Sequence, residues 1–256
     1  MTTKKELTTF LDSFLKIADF PKDASNNGLQ IESSGTNNIN KIGFAVDACH
    51  ELFILAAQQN IDYLIVHHGL SWGDNLKRLT GITSDRIASL LKNNISLYAA
   101  HLPLDAHEDC GHNAVLADML NLKNKKKFAE YAGSLIGVMG NLPTPTTGKK
   151  LIAKISSLLN TKCITIQNFS EKKLKTIGIV SGGGADCISD AAKHNLDVLL
   201  TGEFEHSHYH TIIETGIPLV AAGHYKTETV GLKALMKKIQ KKFDLQCEFI
   251  DIPTGM

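Results

Sequence analysis

The sequence predicts an α/β protein of two similar lobes, produced by internal duplication, with a metal site in the cleft between them. Three observations carry that expectation. Lys41-Ile42-Gly43-Phe44-Ala45-Val46 matches Lys175-Thr176-Ile177-Gly178-Ile179-Val180, and within one residue of the same spacing Asn60-Ile61-Asp62-Tyr63-Leu64-Ile65-Val66 falls on Asn195-Leu196-Asp197-Val198-Leu199-Leu200-Thr201. Each copy then reads strand, helix, strand, helix, strand, closing on Asn94 to His101 in the first and Thr215 to His224 in the second. Finally, both copies end on a His followed four residues later by a carboxylate: His101 with Asp105, and His224 with Glu228. A shared scaffold with unrelated polar ends is the alternative to a shared site.

Taken in order, Glu6 to Leu15 is amphipathic and acidic, which suits a first helix and not a signal peptide. Ser25-Asn26-Asn27-Gly28-Leu29-Gln30 reads as a turn whose polar side chains are placed to floor a pocket. The strand through Val66 runs into His67-His68-Gly69. Adjacent strand residues face opposite ways, so both imidazoles reach one crevice only if the chain turns out of the sheet there. A loop or capping pair of histidines beside Trp72 is the alternative. Across Pro103 the spacing predicts an extended segment in which residues 101, 103 and 105 share a face. Gly111-His112-Asn113-Ala114 reads as a helix start, with His107 and His112 at the surface or behind the site.

The run Lys123, Lys125, Lys126 and Lys127 leads toward the second half, with the lobe boundary expected between residues 127 and 128: a first lobe of 1–127 and a second of 128–256. Ser181-Gly182-Gly183-Gly184 is either an ordinary tight turn or a backbone cradle for phosphate. Glu203, in Thr201-Gly202-Glu203, has no His or Asp neighbour in sequence, which makes it the natural general acid or base. Glu205, His206, His208 and His210 crowd the rim. His224 and Glu228 lie one turn apart if the helix predicted over Thr227 to Leu235 starts early, which puts both on one face.

Imidazoles and carboxylates are the ligands of Zn, Fe, Mn or Ni, and five or more converging side chains are too many for one tetrahedral ion. The reading is two divalent metal ions in one pocket. A chain of 256 residues with 43% hydrophobic content can bury a sizeable core, and a formal net charge of +1 argues against nucleic acid as partner. No apolar run approaches the ~20 residues of a membrane span. Five cysteines, odd in number and without a Cys-X-X-Cys pair, fit a reducing compartment, so the expected location is cytoplasmic.

Asn27-Gly28-Leu29, His67-His68-Gly69, His101 to Asp105, Thr201-Gly202-Glu203 and Gly223 to Glu228 together resemble the Nif-three-like family of dinuclear-metal proteins, the type 2 GTP cyclohydrolase I homologues. The resemblance covers nearly the whole chain and matches the family's short form. It implies metal ligation by His67, His68, Asp105, His224 and Glu228, with the carboxylates bridging two ions, and a toroidal homohexamer. It also implies a metal-dependent hydrolase acting on GTP, with ring opening, formate release, and Glu203 or His101 moving protons. Two rival readings use the same residues: a non-catalytic metal-binding or interaction protein, and a phosphoesterase acting on nucleotides or nucleic acid.

Overall fold

A computed structural model describes residues 2–256. In chain order the strands are β1 (Thr2–Thr3), β2 (Gly28–Ile31), β3 (Asn38–Ile39), β4 (Lys41–Asp47), β5 (Tyr63–His68), β6 (Ser96–Ala99), β7 (Lys123–Tyr131), β8 (Ser134–Thr147), β9 (Ile164–Ile166), β10 (Lys173–Ile179), β11 (Leu199–Thr201), β12 (Leu219–Ala221) and β13 (Gln246–Phe249). The helices are α1 (Lys4–Phe14), α2 (His50–Gln58), α3 (Gly81–Lys92), α4 (Leu102–Asp105), α5 (His112–Met119), α6 (Gly148–Leu159), α7 (Ile188–Lys193), α8 (Tyr209–Thr215) and α9 (His224–Phe243). The expected α/β class is what these elements form.

The chain divides into two units, one of residues up to Leu104 with Leu232–Ile252, the other of Asp105–Gly231 with Pro253–Met256. The division thus falls before Asp105, not at the expected 127/128, and it is not a simple split into consecutive halves. Strand pairing is the reason. β13, late in sequence, pairs in parallel with β4, Gln246 opposite Lys41, and takes the end of α9 with it into the first unit.

In the first unit the sheet order is β13-β4-β5-β6-β2, parallel except for β2, which runs antiparallel to β6. Parallel strands covered by helices read as continuous apolar runs, and β5 is buried from Tyr63 through His67. Leu52, Phe53 and Ala56 of α2 and Ile87 and Leu90 of α3 form one core with Leu64, Val66 and Leu97. Burying each such leucine contributes about 1.5–3 kcal/mol. α1 starts where the sequence suggests. Thr3 and Glu6 form a reciprocal cap, with Thr3 N donating to Glu6 Oε2 at 2.8 Å, and Leu7 and Leu11 are buried one turn apart.

The second unit holds a six-stranded mixed sheet, order β7-β8-β10-β11-β12-β9, whose β10, β11 and β12 are parallel. The lysine run lies on β7, an edge strand, where charge opposes pairing with another chain. Leu151, Ile155 and Leu159 of α6, at helical spacing, pack with Leu174, Ile177, Leu200 and Val220.

Aligned residues make the same tie in each unit. Asn60 and Asn195, with φ of 55° and 51°, take the left-handed conformation that ends a helix. Two residues on, Asp62 Oδ2 accepts from Asn40 N (2.7 Å) and Lys41 N (3.1 Å). Asp197 Oδ2 accepts from Lys175 N (2.7 Å) and Thr176 N (3.0 Å). Each aspartate thereby fixes the start of the neighbouring parallel strand. Among the described residues no helix is long and apolar enough to cross a membrane.

Candidate metal centre

Three imidazoles meet at the carboxyl ends of β5 and β6 in the first unit. His67, His68 and His101 each offer a ring nitrogen, and these atoms lie within 4.8 Å of one another, a group able to hold a metal ion. β5 continues through His68, and Gly69 follows. The two adjacent rings still come close, centroids 4.6 Å apart and planes tilted by 50°. Gly69 is required by space: a Cβ there would lie 2.2 Å from Gln30 Oε1 and 2.6 Å from the Ala99 Cβ. That oxygen accepts from Leu70 N (2.7 Å) and Ser71 N (3.0 Å), holding the turn out of the sheet.

Each imidazole is oriented through Nδ1. His67 Nδ1 meets the Ala100 carbonyl, His68 Nδ1 meets Asp47 Oδ1, and His101 Nδ1 meets Asp23 Oδ1, all at 2.8 Å. A carbonyl or carboxylate oxygen only accepts, so Nδ1 carries the proton in each ring and Nε2 carries the lone pair a metal needs. Asp23, whose side chain is 1% exposed, is tied on all sides: Oδ1 also accepts from Ser25 N (3.0 Å), and Oδ2 accepts from Asn27 Nδ2 (2.8 Å) and Leu102 N (3.0 Å). Burial alone would raise the pKa of Asp23, but the hydrogen bond and charge of His101, with the bonds from Asn27 and Ser25, hold it below its ordinary value. Asn27 also accepts from His101 N at 2.7 Å. The Asn-Gly-Leu turn therefore acts by fixing His101.

In the second unit the ligand types are mostly carboxylate. His224 opens α9, so Glu228 follows one turn later on the same face, with Nε2 and Oε1 3.1 Å apart. His224 Nδ1 lies 2.9 Å from Glu203 Oε1. Burial lowers the pKa of His224, yet the hydrogen bonds and charges of Glu228 and Glu203 outweigh it and push the pKa up to about 9. Without a metal the ring is thus an imidazolium between two carboxylates, and a cation replacing the Nε2 proton finds Nδ1 already oriented. Glu203 does have a histidine partner, which its sequence neighbours gave no hint of. Asp105 is buried and accepts from Ser181 Oγ at 2.9 Å, while Ser181 N donates to Asn113 Oδ1 at 2.7 Å.

One further expectation changes, and two that were open resolve. Residues 102–105 form the single helical turn α4, not an extended segment, because proline is tolerated in a helix's first turn, where its missing N–H costs nothing. The Ser-Gly-Gly-Gly segment is a tight turn and no phosphate cradle: Gly182 N donates to Thr227 Oγ1, Gly184 N donates to Thr201 Oγ1, and Ser181 N to Asn113 as above. Gly182, at φ +60°, is needed because a Cβ would lie 2.1 Å from Glu228 Oε1. His112 is fully buried, not at the surface, and its Nδ1 accepts from Gly231 N at 3.1 Å, which sends its proton to Nε2 and disfavours ligation. His206 and His210 are exposed, and His208 pairs with Asp186 at 2.8 Å. Asp23 was not singled out from sequence, and Asp47, Ser181 and Asn113 were not read there as partners of the site residues. Only Asp47, directly after the repeated β4 segment, carried a usable signal.

The chemistry of this donor set suits divalent transition metals. A family model described as Duf34/NIF3 (NGG1p interacting factor 3) matches residues 2–255. Proteins of Pyrococcus horikoshii and Pyrococcus abyssi, each named GTP cyclohydrolase 1 type 2 homolog, are 41% and 39% identical over 253 residues, covering 99% of this chain and 99% of theirs. Of the solved structures, TTHA1606 from Thermus thermophilus matches with a TM-score of 0.89 at 37% identity, and protein ybgI, titled as of unknown function, with 0.90 at 32%, each over 100% of both chains. With a family model spanning essentially all of it and relatives of such identity over its full length, this chain belongs to the Duf34/NIF3 family.

Proposed function

We propose that the chain is a dinuclear metal-dependent hydrolase of the GTP cyclohydrolase I type 2 kind, acting in the cytoplasm as a homohexamer. His67, His68, Asp105, His224 and Glu228 hold two divalent ions. The observation that carries the reading is the pinning of Nδ1 in His67 and His68, which turns the Nε2 lone pair of each toward a ligand role within a group whose ring nitrogens lie within 4.8 Å of one another. Ions held there supply activation of water as a nucleophile near neutral pH.

The chain's own residues do the rest. Glu203, half-buried and anchored on His224, accepts a proton as water adds to the imidazole carbon of guanine. His101, whose Nδ1 keeps its proton and donates it to Asp23, takes up a proton from solvent at Nε2 and passes it to the departing ring nitrogen. Ring opening and a second hydrolysis release formate. The names of the Pyrococcus relatives support GTP as the first substrate to try.

Formate release from GTP is the test. It should need added metal, stop with chelator, and fall by about 100-fold or more in Asp105→Ala. Glu203→Gln should slow turnover while keeping most of the bound metal. If the metal-loaded protein hydrolyses neither GTP nor any nucleotide in a broad screen, a binding protein is the better reading.

A further inference from the structure

A cavity of about 320 Å³ in the second unit opens beside Glu203, where the segments after β11 and β12 leave the sheet. It has the volume of a small-molecule pocket at the lower end of the usual range, and ligands of open α/β sheets bind beyond strand carboxyl ends. Its lining is divided by chemistry. Phe204, Tyr225 and Met256 provide apolar and aromatic surface, Lys162 and Lys226 provide two cations, and Glu203 connects it to His224. Among the described residues neither lysine is in an ion pair. The contrast is the smaller cavity bordered by β7, about 240 Å³, where Lys125 is paired with Asp118 and Lys127 with Glu108. Two of the three lysines lining that cavity are paired, whereas beside Glu203, itself held by His224, neither lysine is.

We infer that the cavity beside Glu203 is the substrate-recognition pocket and that it takes a phosphorylated nucleoside, its phosphates on Lys162 and Lys226 and its base on the Phe204 and Tyr225 side. Two unpaired lysines select an anion over a neutral nucleoside, and aromatic walls select a flat ring over a sugar phosphate alone. This deepens the proposed function, and it rests on Glu203 belonging to that site. Lys162 and Lys226 are specificity residues under this inference, with no part in proton transfer.

Calorimetric titration of the metal-loaded full chain tests it, with GTP, guanosine and inorganic triphosphate as probes. GTP should bind about tenfold or more tightly than either guanosine or triphosphate, and less tightly as salt rises. Lys226→Met and Lys162→Met should each weaken GTP about tenfold with metal content unchanged, while Lys226→Arg and the control Lys126→Met bind as the wild type does. Guanosine binding as well as GTP, no nucleotide binding at all, or folded, metal-loaded Lys226→Met and Lys162→Met with wild-type affinity would overturn the inference. Lysine-dependent GTP binding without formate release would instead remove the hydrolase reading and leave this pocket standing. Formate release unaffected by either lysine substitution would do the reverse.

Discussion

The two units carry the same scaffold tie and opposite site chemistry. Asp62 and Asp197 hold equivalent strand starts through paired backbone N–H groups, yet the strand ends beyond them have diverged. The first unit offers three imidazoles, each kept in one tautomer by a fixed acceptor on Nδ1. The second offers mainly carboxylates, and His224 is held between two of them with its pKa raised to about 9. Under the proposed reading, units that share one tie would prepare a metal ligand in two ways: orienting a lone pair in advance, or gathering negative charge around a proton that a metal displaces.

The comparison breaks most sharply at Gly182. A side chain there meets the Glu228 carboxylate at 2.1 Å and sits at φ +60°, so Gly182→Ala should weaken metal binding on the order of 100-fold and destabilise by about 1–3 kcal/mol. Metal titration with a parallel melt checks both, and the first unit's trio should be untouched. Next comes Asp23→Asn. All four partners of Asp23 are donors, so an amide must turn its NH₂ toward at least one of them, either reversing the His101 tautomer or opposing a backbone N–H. Formate release should fall about 10- to 100-fold. Asp47→Asn, at a carboxylate whose side chain is 39% exposed, should cost less, because water can replace what is lost. Equal effects of the two would contradict the ranking by burial.

The pH response separates the units further. A pKa raised from 6.5 to about 9 means that His224 contributes stability fully below about pH 6.5, and that the contribution disappears as pH rises through about 9. The metal-free protein should therefore melt progressively lower over that window. Metal affinity should rise over the same window, since the cation competes with the His224 proton. His224→Gln should flatten the stability trend. The smallest effect is expected at the scaffold tie: Asp62→Ala and Asp197→Ala should each destabilise by about 0.5–1.5 kcal/mol, because water can reach the exposed and part-buried N–H groups that lose their acceptor. For Asp197, burial raises the pKa but the N–H groups of Lys175 and Thr176 bring it below its ordinary value, so its contribution is lost only as pH falls through that lowered value.

How far the sequence reached can be seen residue by residue. Parallel strands are buried on both faces, so β4, β5, β10 and β11 stand out as apolar runs, and the Asn-x-Asp spacing before β5 and β11 repeats because it makes the same tie twice. His224 and Glu228 were readable because a helix converts a spacing of four into proximity. The partners of the imidazoles were not. Asp23 reaches His101 across 78 residues and Ser181 reaches Asp105 across 76, and no local period records such contacts. The unit boundary was hidden for the same reason: β13 joins β4 by a pairing that spans most of the chain.

The central claim is that both ligand sets are metal ligands and together hold two ions. Elemental analysis of the purified, metal-saturated protein tests it most directly, alongside His68→Ala in the first unit and Glu228→Ala in the second. The account predicts two transition-metal ions per chain in the wild type and a loss of bound metal in both variants. One ion or none at saturation, with both variants binding as the wild type does, would contradict it.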